Sequence, residues 1–476
     1  MSQPPALPLL LVGLLGCAGG DADTGAPGDA PGLDGGGGGE GTDGGDDGSD
    51  GGGADPLEEQ LRALVADQAE PVLPLDPPPA QDPDLVALGG ALFFDPILSG
   101  NRDVACATCH LPTLGTSDAL SLSVGTGGTG VGPERAEGDY PGFIPRHALD
   151  LYNRGDSGWT RLFWDARVEA DADGALRTPL GDALPAGLSG VLAAQALFPL
   201  LDRAEMLGQP GDTDVLGAPN GLALLDAPDA VFAGLVTRLT ETPAYGPLLD
   251  AAANGAPPDI ALVANALAAW QTQELSFTDT PWDAWLRGEA DALPDDAKLG
   301  AVVFFGDGAC ARCHSGALLS DQQTHVTAVP QLGPGLADSA PFDLGRGAVT
   351  GDPADDFAFR TTPLRNVALS APYMHTGVYP DLESAVLHYA NPVDGIADLD
   401  TSSLHPDLRD TVQDDPAHLD ALRRQLSDQM VEDEAAQVGL SNVRAFMEAL
   451  TDPAAEDLSA LVPAAVPSGL VVGGGR

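Results

Sequence analysis

Two short stretches constrain this chain more than anything else in it: Cys106-Ala107-Thr108-Cys109-His110 and Cys310-Ala311-Arg312-Cys313-His314. Each reads C-x-x-C-H, the attachment signature of c-type haem. Two thiols three positions apart on one helical turn reach the vinyl-derived carbons on one porphyrin edge, and the adjoining histidine reaches the iron as an axial ligand. A zinc site built from both pairs would draw two distant segments into one tetrahedron and leave two histidines over. A thioredoxin-like C-x-x-C expects a βαβ setting and no second copy. The pattern therefore predicts two covalent c-type haems, one held by Cys106, Cys109 and His110, the other by Cys310, Cys313 and His314.

The surroundings of the motifs also repeat. Leu88-Gly89-Gly90-Ala91-Leu92-Phe93-Phe94 precedes the first and Leu299-Gly300-Ala301-Val302-Val303-Phe304-Phe305 the second, which predicts a short helix whose Phe pair packs near the haem edge, then a loop, then the haem helix. Helical spacing is clearest over Ala261 to Trp270, at Leu382, Ala385, Val386 and Tyr389, and at Val443, Phe446, Met447 and Leu450. No alternating strand pattern stands out. The fold class expected is mainly α, with long Gly/Pro loops and two tandem cytochrome c-like domains, over residues 57–285 and 290–455, before a C-terminal tail, 456–476. Gly125-Thr126-Gly127-Gly128-Thr129-Gly130 matches G-x-G-x-x-G, but Val131-Gly132-Pro133 follows where a nucleotide-binding helix would open. A loop is the better reading.

The 21 Lys+Arg against 71 Asp+Glu give a net charge of −50, which excludes nucleic acid as a natural partner and favours a basic redox partner. Residues 1–17 end in Leu14-Leu15-Gly16-Cys17 after an apolar run. That resembles a bacterial lipoprotein signal with Cys17 as the lipidated residue, although the usual positive residues before the apolar core are missing. Residues 18–56 are mostly Gly, Asp, Ala and Pro and cannot offset their ordering entropy, so they read as a disordered tether. The expected location is the periplasm or cell surface, with a lipid anchor at Cys17.

Both haem motifs, Phe163-Trp164-Asp165-Ala166-Arg167 between them, and the run from Thr362 to His375, with Ala371-Pro372-Tyr373-Met374-His375 at its end, occur in the order found in the bacterial di-haem cytochrome c peroxidase and MauG family. The chain resembles that family from about Leu85 to Leu450. The resemblance implies that peroxide reacts at the N-terminal haem, that the C-terminal haem handles electrons, and that Trp164 lies between them. Gln195, Pro199 and Glu205 reproduce the spacing of the family's peroxide pocket, where a carboxylate moves a proton between the two peroxide oxygens. The histidine that caps the resting first haem in the peroxidases is replaced here by Thr126, so an open iron is expected. Fourteen residues beyond His375, where peroxidases place a methionine and MauG a tyrosine, stands Tyr389, the implied axial ligand of the second haem. An interdomain calcium is also usual, on an asparagine and the carbonyls of Ser370 and Pro372. His147 stands at the asparagine position, and imidazole is a poor ligand for so hard a cation, which puts calcium in question.

The leading expectation is an oxidoreductase that reduces hydrogen peroxide at the haem of His110, with electrons supplied by a small c-type cytochrome or another redox protein through the haem of His314. A MauG-like alternative turns the same oxidising power on a protein or small-molecule substrate. A third reading, from another class, is a non-catalytic electron carrier or sensor.

Overall fold

The computed structural model describes residues 55–138, 142–427 and 439–474. The signal at residues 1–17, with Cys17, lies outside the described residues, as does nearly all of the 18–56 tether. Among the described residues regular structure is mostly helical, and the strands are only two or three residues long. Arg161–Leu162, Val168–Ala170 and Leu176–Arg177 form one antiparallel sheet, and Thr324–His325 pairs with Phe359–Arg360. No helix among the described residues is long and apolar enough to cross a membrane.

The internal repeat appears as two copies of one helix pair. Pro83–Phe94 packs on Ile260–Glu274, and Asp295–Phe305 packs on Leu440–Glu448. In each pair a glycine permits the contact. A Cβ on Gly89 would lie 2.0 Å from the Ala266 carbonyl oxygen, and one on Gly300 would lie 1.8 Å from that of Asn442. Close approach of the backbones lets the aromatic side chains interlock: Phe93 packs at a tilt on Trp270 at 4.2 Å, and Phe304 meets Phe446 edge-on at 5.1 Å. The helix Ile260–Glu274 is buried on nearly all sides, which explains why its sequence carries so little amphipathic contrast.

Around these pairs lie two main apolar cores. The first runs from Leu75 to Phe277, and the second is built mostly from Trp282 to Leu450. The chain ends cross between them. The helix Pro56–Ala66, placed by sequence with residues 57–285, puts Leu61 into the second core, together with Val72, Trp282 and Trp285. Its apolar stripe has no local partner and finds one on Asp295–Phe305. In the opposite sense, the tail expected at 456–476 supplies Leu458 and Val466 to the first core. Ser468 there donates to Asp95 from both its amide and its hydroxyl, at 2.9 and 2.6 Å, and the Gly473 amide donates to the Phe94 carbonyl at 2.7 Å. Neither crossing leaves a trace in local periodicity.

The glycine contacts give a direct test of the repeat. Gly89→Ala and Gly300→Ala are each expected to destabilise by about 1–3 kcal/mol through overpacking in denaturant unfolding. Gly221→Ala, whose Cβ would meet nothing within 4 Å, is expected to be near neutral.

Candidate active site

Each C-x-x-C-H motif forms a single turn, closed by His110 N–H to Cys106 O and by His314 N–H to Cys310 O, both 2.9 Å. The turns open onto separate cavities. Phe93 lines the first and Phe304 the second, so the leading residue of each Phe pair faces its cavity as the repeat implied.

The two histidines are held alike. Nδ1 of His110 lies 3.1 Å from Thr116 O, and Nδ1 of His314 lies 3.1 Å from Leu319 O. A ring that donates from Nδ1 to a carbonyl presents a bare Nε2, the tautomer an axial ligand needs. Burial, the largest influence, holds both imidazoles below the usual histidine range and so keeps them neutral. Burial also pushes the Cys106 and Cys310 thiols up to about 12. No disulfide joins the motif cysteines. The residues fit two covalent c-type haems.

The first cavity gathers Gln195, Pro199 and Glu205 beside Cys106, Cys109 and His110. Gln195 ends the helix Val191–Gln195, and Glu205 sits in the turn Arg203–Leu207, whose N-terminal amides are capped by Asp202. Neither the Gln195 amide group nor the Glu205 carboxyl has a hydrogen-bond partner among the described residues, and both line the cavity. Burial, reinforced by Asp202, pushes the Glu205 carboxyl up to about 7, against the pull of Arg167 and Arg146.

Thr126 is not among the residues lining this cavity. Its hydroxyl donates to Asp103 Oδ1 at 2.8 Å and accepts from Asn101 Nδ2 at 2.9 Å, and its amide donates to the Glu205 carbonyl at 2.9 Å. The position that could cap the iron is thus committed elsewhere.

Trp164 lines both cavities. Its Nε1 donates to His147 O at 3.0 Å, and its ring lies 6.2 Å from that of His375. Asp165 is gripped by Arg146 at 2.6 Å and Arg167 at 3.0 Å, and Arg146 also reaches Asp343 at 2.6 Å. These ion pairs fix the segment that carries the indole.

In the second cavity Tyr389 joins Cys310, Cys313 and His314. The hydroxyls of Tyr152, Tyr245, Tyr373 and Tyr379 each have a protein partner. Tyr389 alone among the described tyrosines has none, and its hydroxyl is free to meet a ligand in the cavity. Burial keeps its phenol above the ordinary range. Spacing arguments missed Met374 and Met447, which also line this cavity, and His325, which lines it with Nε2 2.8 Å from Asp321.

Calcium does not fit. His147 places Nδ1 2.8 Å from Leu120 O and Nε2 3.3 Å from Ser117 Oγ, so both ring nitrogens are engaged within the protein. Burial lowers its pKa to about 4 and keeps it neutral.

Residues 83–291 match the sequence profile of the di-haem cytochrome c peroxidases. The methylamine utilization protein MauG of Methylorubrum extorquens is 32% identical over 71% of this chain and 77% of that protein. Cytochrome c551 peroxidase of Pseudomonas aeruginosa is 29% identical over 71% and 80%, respectively. Among solved structures, a MauG-like protein associated with microbial copper homeostasis matches with a TM-score of 0.52 and 25% identity, covering 81% of this chain and 94% of its own. The diheme peroxidase BthA from Burkholderia thailandensis shares the fold at a TM-score of 0.55 and 22% identity, covering 84% and 94%.

Replacing Cys106 and Cys109 with alanine, or Cys310 and Cys313, is expected to lower covalent haem from two per chain to one in a pyridine haemochrome assay. Retention of two in either double variant would contradict the assignment.

Proposed function

This chain belongs to the di-haem cytochrome c peroxidase family, and on that premise we propose that it is an exported enzyme with two cytochrome c-like domains that reduces hydrogen peroxide in the first cavity. The observation that carries this reading is the pair Gln195 and Glu205, whose polar ends face the cavity of His110 without a protein partner. The haems, when bound, supply the one-electron redox chemistry that no side chain here provides.

The protein's share is proton handling, positioning and exclusion of water. One peroxide takes up two electrons and two protons and leaves as two waters. Glu205 accepts the proton of the nearer peroxide oxygen and delivers it to the farther one as the O–O bond breaks, and the Gln195 amide orients the substrate by hydrogen bonding. A carboxyl pushed up to about 7 exchanges protons at neutral pH, whereas an ordinary carboxylate would rarely be protonated there. Pro199 shapes the wall between them. Electrons from a small c-type cytochrome or another redox protein enter by the second cavity, and Trp164, which lines both, is the relay. The net charge of −50 favours a basic donor. Covalent haem and the signal-like start support a periplasmic or cell-surface location with an anchor at Cys17.

A second reading, oxidation of a protein or small-molecule substrate, is favoured by Tyr389. An anionic oxygen ligand at the second haem stabilises oxidised states, whereas a thioether raises the potential. Thr126, committed to Asp103 and Asn101, supports an open first site under either reading.

Because the Glu205 base must be ionised, peroxide consumption is expected to rise with pH through about 7 and then level. Glu205→Gln is expected to lose about 10²–10⁴-fold in rate together with that pH step. An undiminished rate would remove Glu205 from the mechanism. In the same assay, steady turnover with a reduced cytochrome supports the peroxidase, and its absence beside a long-lived oxidised protein supports the second reading.

A further inference from the structure

Two arginines stand apart from the other buried charges; Arg135, also without an ion pair, gives its donors to the carbonyls of Val124, Gly130 and Gly125. Arg146 and Arg167 are answered by Asp165 and Asp343, and Arg365 is answered by Asp283. Arg154 and Arg360 are 4% and 2% exposed, and although Asp150, Asp165 and Asp321 act on Arg360 at longer range, none of them pairs with it. Asp150 Oδ2 lies 3.2 Å from Arg154 Nη2, and Arg360 forms no ion pair among the described residues. Both guanidinium carbons lie 5.0 Å from the Trp159 ring, so two like charges share one indole. Burial, then Arg154, lowers the Arg360 pKa to about 9.

Their hydrogen bonds are also incomplete. Arg154 donates from Nε to Asp150 O at 3.1 Å and from Nη2 to the Asp150 carboxylate, while Nη1 is buried with no acceptor. Arg360 donates from Nε to Phe163 O at 2.8 Å and from Nη1 to Thr361 O at 3.0 Å, and Nη2 has no partner among the described residues. A buried cation with an unanswered donor is costly unless an anion joins it. Arg154 lines the first cavity, and Arg360 lines both. The missing acceptor therefore enters with whatever fills the cavities.

We propose that Arg154 and Arg360 are the carboxylate sockets of the haems: Arg154 binds a propionate of the first, and Arg360 is a shared strut between propionates of both. The proposal rests on the di-haem reading. It makes Arg360 a positioning residue that, like Trp164, belongs to both centres, and it explains why a chain so acidic leaves these two buried cations with one direct ion pair between them. Guanidinium suits the task because its planar fork matches a carboxylate in two hydrogen bonds.

The test uses the purified holoprotein, with two haems per chain first established by the pyridine haemochrome assay. A wild-type count below two would sink the di-haem reading itself. Arg154→Gln is expected to shift the resonance Raman propionate-bending band of one haem and to lower one midpoint potential, since loss of a nearby positive charge favours the ferric state. Arg360→Gln is expected to shift both bands and lower both potentials. Arg154→Lys and Arg360→Lys keep the charge and are expected to hold the potentials near wild type while still moving the bands, because the fork is lost. Unmoved bands in variants that keep two haems, with only the potentials changed, would mean that the arginines answer some free anion or none, and would overturn the proposal. Should the Gln variants lose haem, the Lys variants are read by the same criterion.

Discussion

In both halves of this molecule one helix carbonyl sits where a β-carbon would have to be. The contacts of Gly89 with Ala266 and of Gly300 with Asn442 bring two helices together at backbone distance. Everything near the cofactors hangs from that approach. It sets Phe93 against Trp270 and Phe304 against Phe446, which in turn fixes one wall of each cavity. The C-x-x-C-H turn follows at the end of a short connection in each half, and its histidine is oriented by a carbonyl five or six residues further on. The repeat is thus a repeat of constraint: glycine, aromatic pair, thiol turn and oriented imidazole.

Charge does the work between the halves that apolar packing does within them. Arg146 joins Asp165, from the Trp164 segment, to Asp343, far along the chain. Within the second half, Arg365 pairs in the same way with Asp283, which lies between Trp282 and Trp285, and donates to the Ala317 carbonyl at 3.1 Å, in the loop that follows the second haem turn. Pairs this buried give up much of their attraction to desolvation, and their value lies in fixing one arrangement among several. The arrangement fixed here carries Trp164 between two cavities.

Much of the site was legible in the sequence, because covalent attachment and short-range spacing carry it. Both thiol turns, the Phe pairs and the helices at Ile260–Glu274, Leu382–His388 and Leu440–Glu448 follow from local pattern. Gln195, Pro199 and Glu205 share a cavity, and Tyr389 faces another. What the sequence did not disclose depends on contacts between distant segments. Leu61 joins the second core and Val466 the first, and neither is marked by periodicity. Arg154 and Arg360 look like ordinary arginines until the fold places both beside Trp159. His147 reads as a substituted calcium ligand, yet its ring is taken up by Leu120 and Ser117.

We propose that the two haems occupy unlike sites, one open to small molecules beside Glu205 and the other closed by Tyr389. Electron paramagnetic resonance of the ferric holoprotein, before and after cyanide, measures this directly. The expected result is one high-spin signal that cyanide converts to low spin beside one low-spin signal that it leaves unchanged. Two low-spin centres, both indifferent to cyanide, would contradict the account.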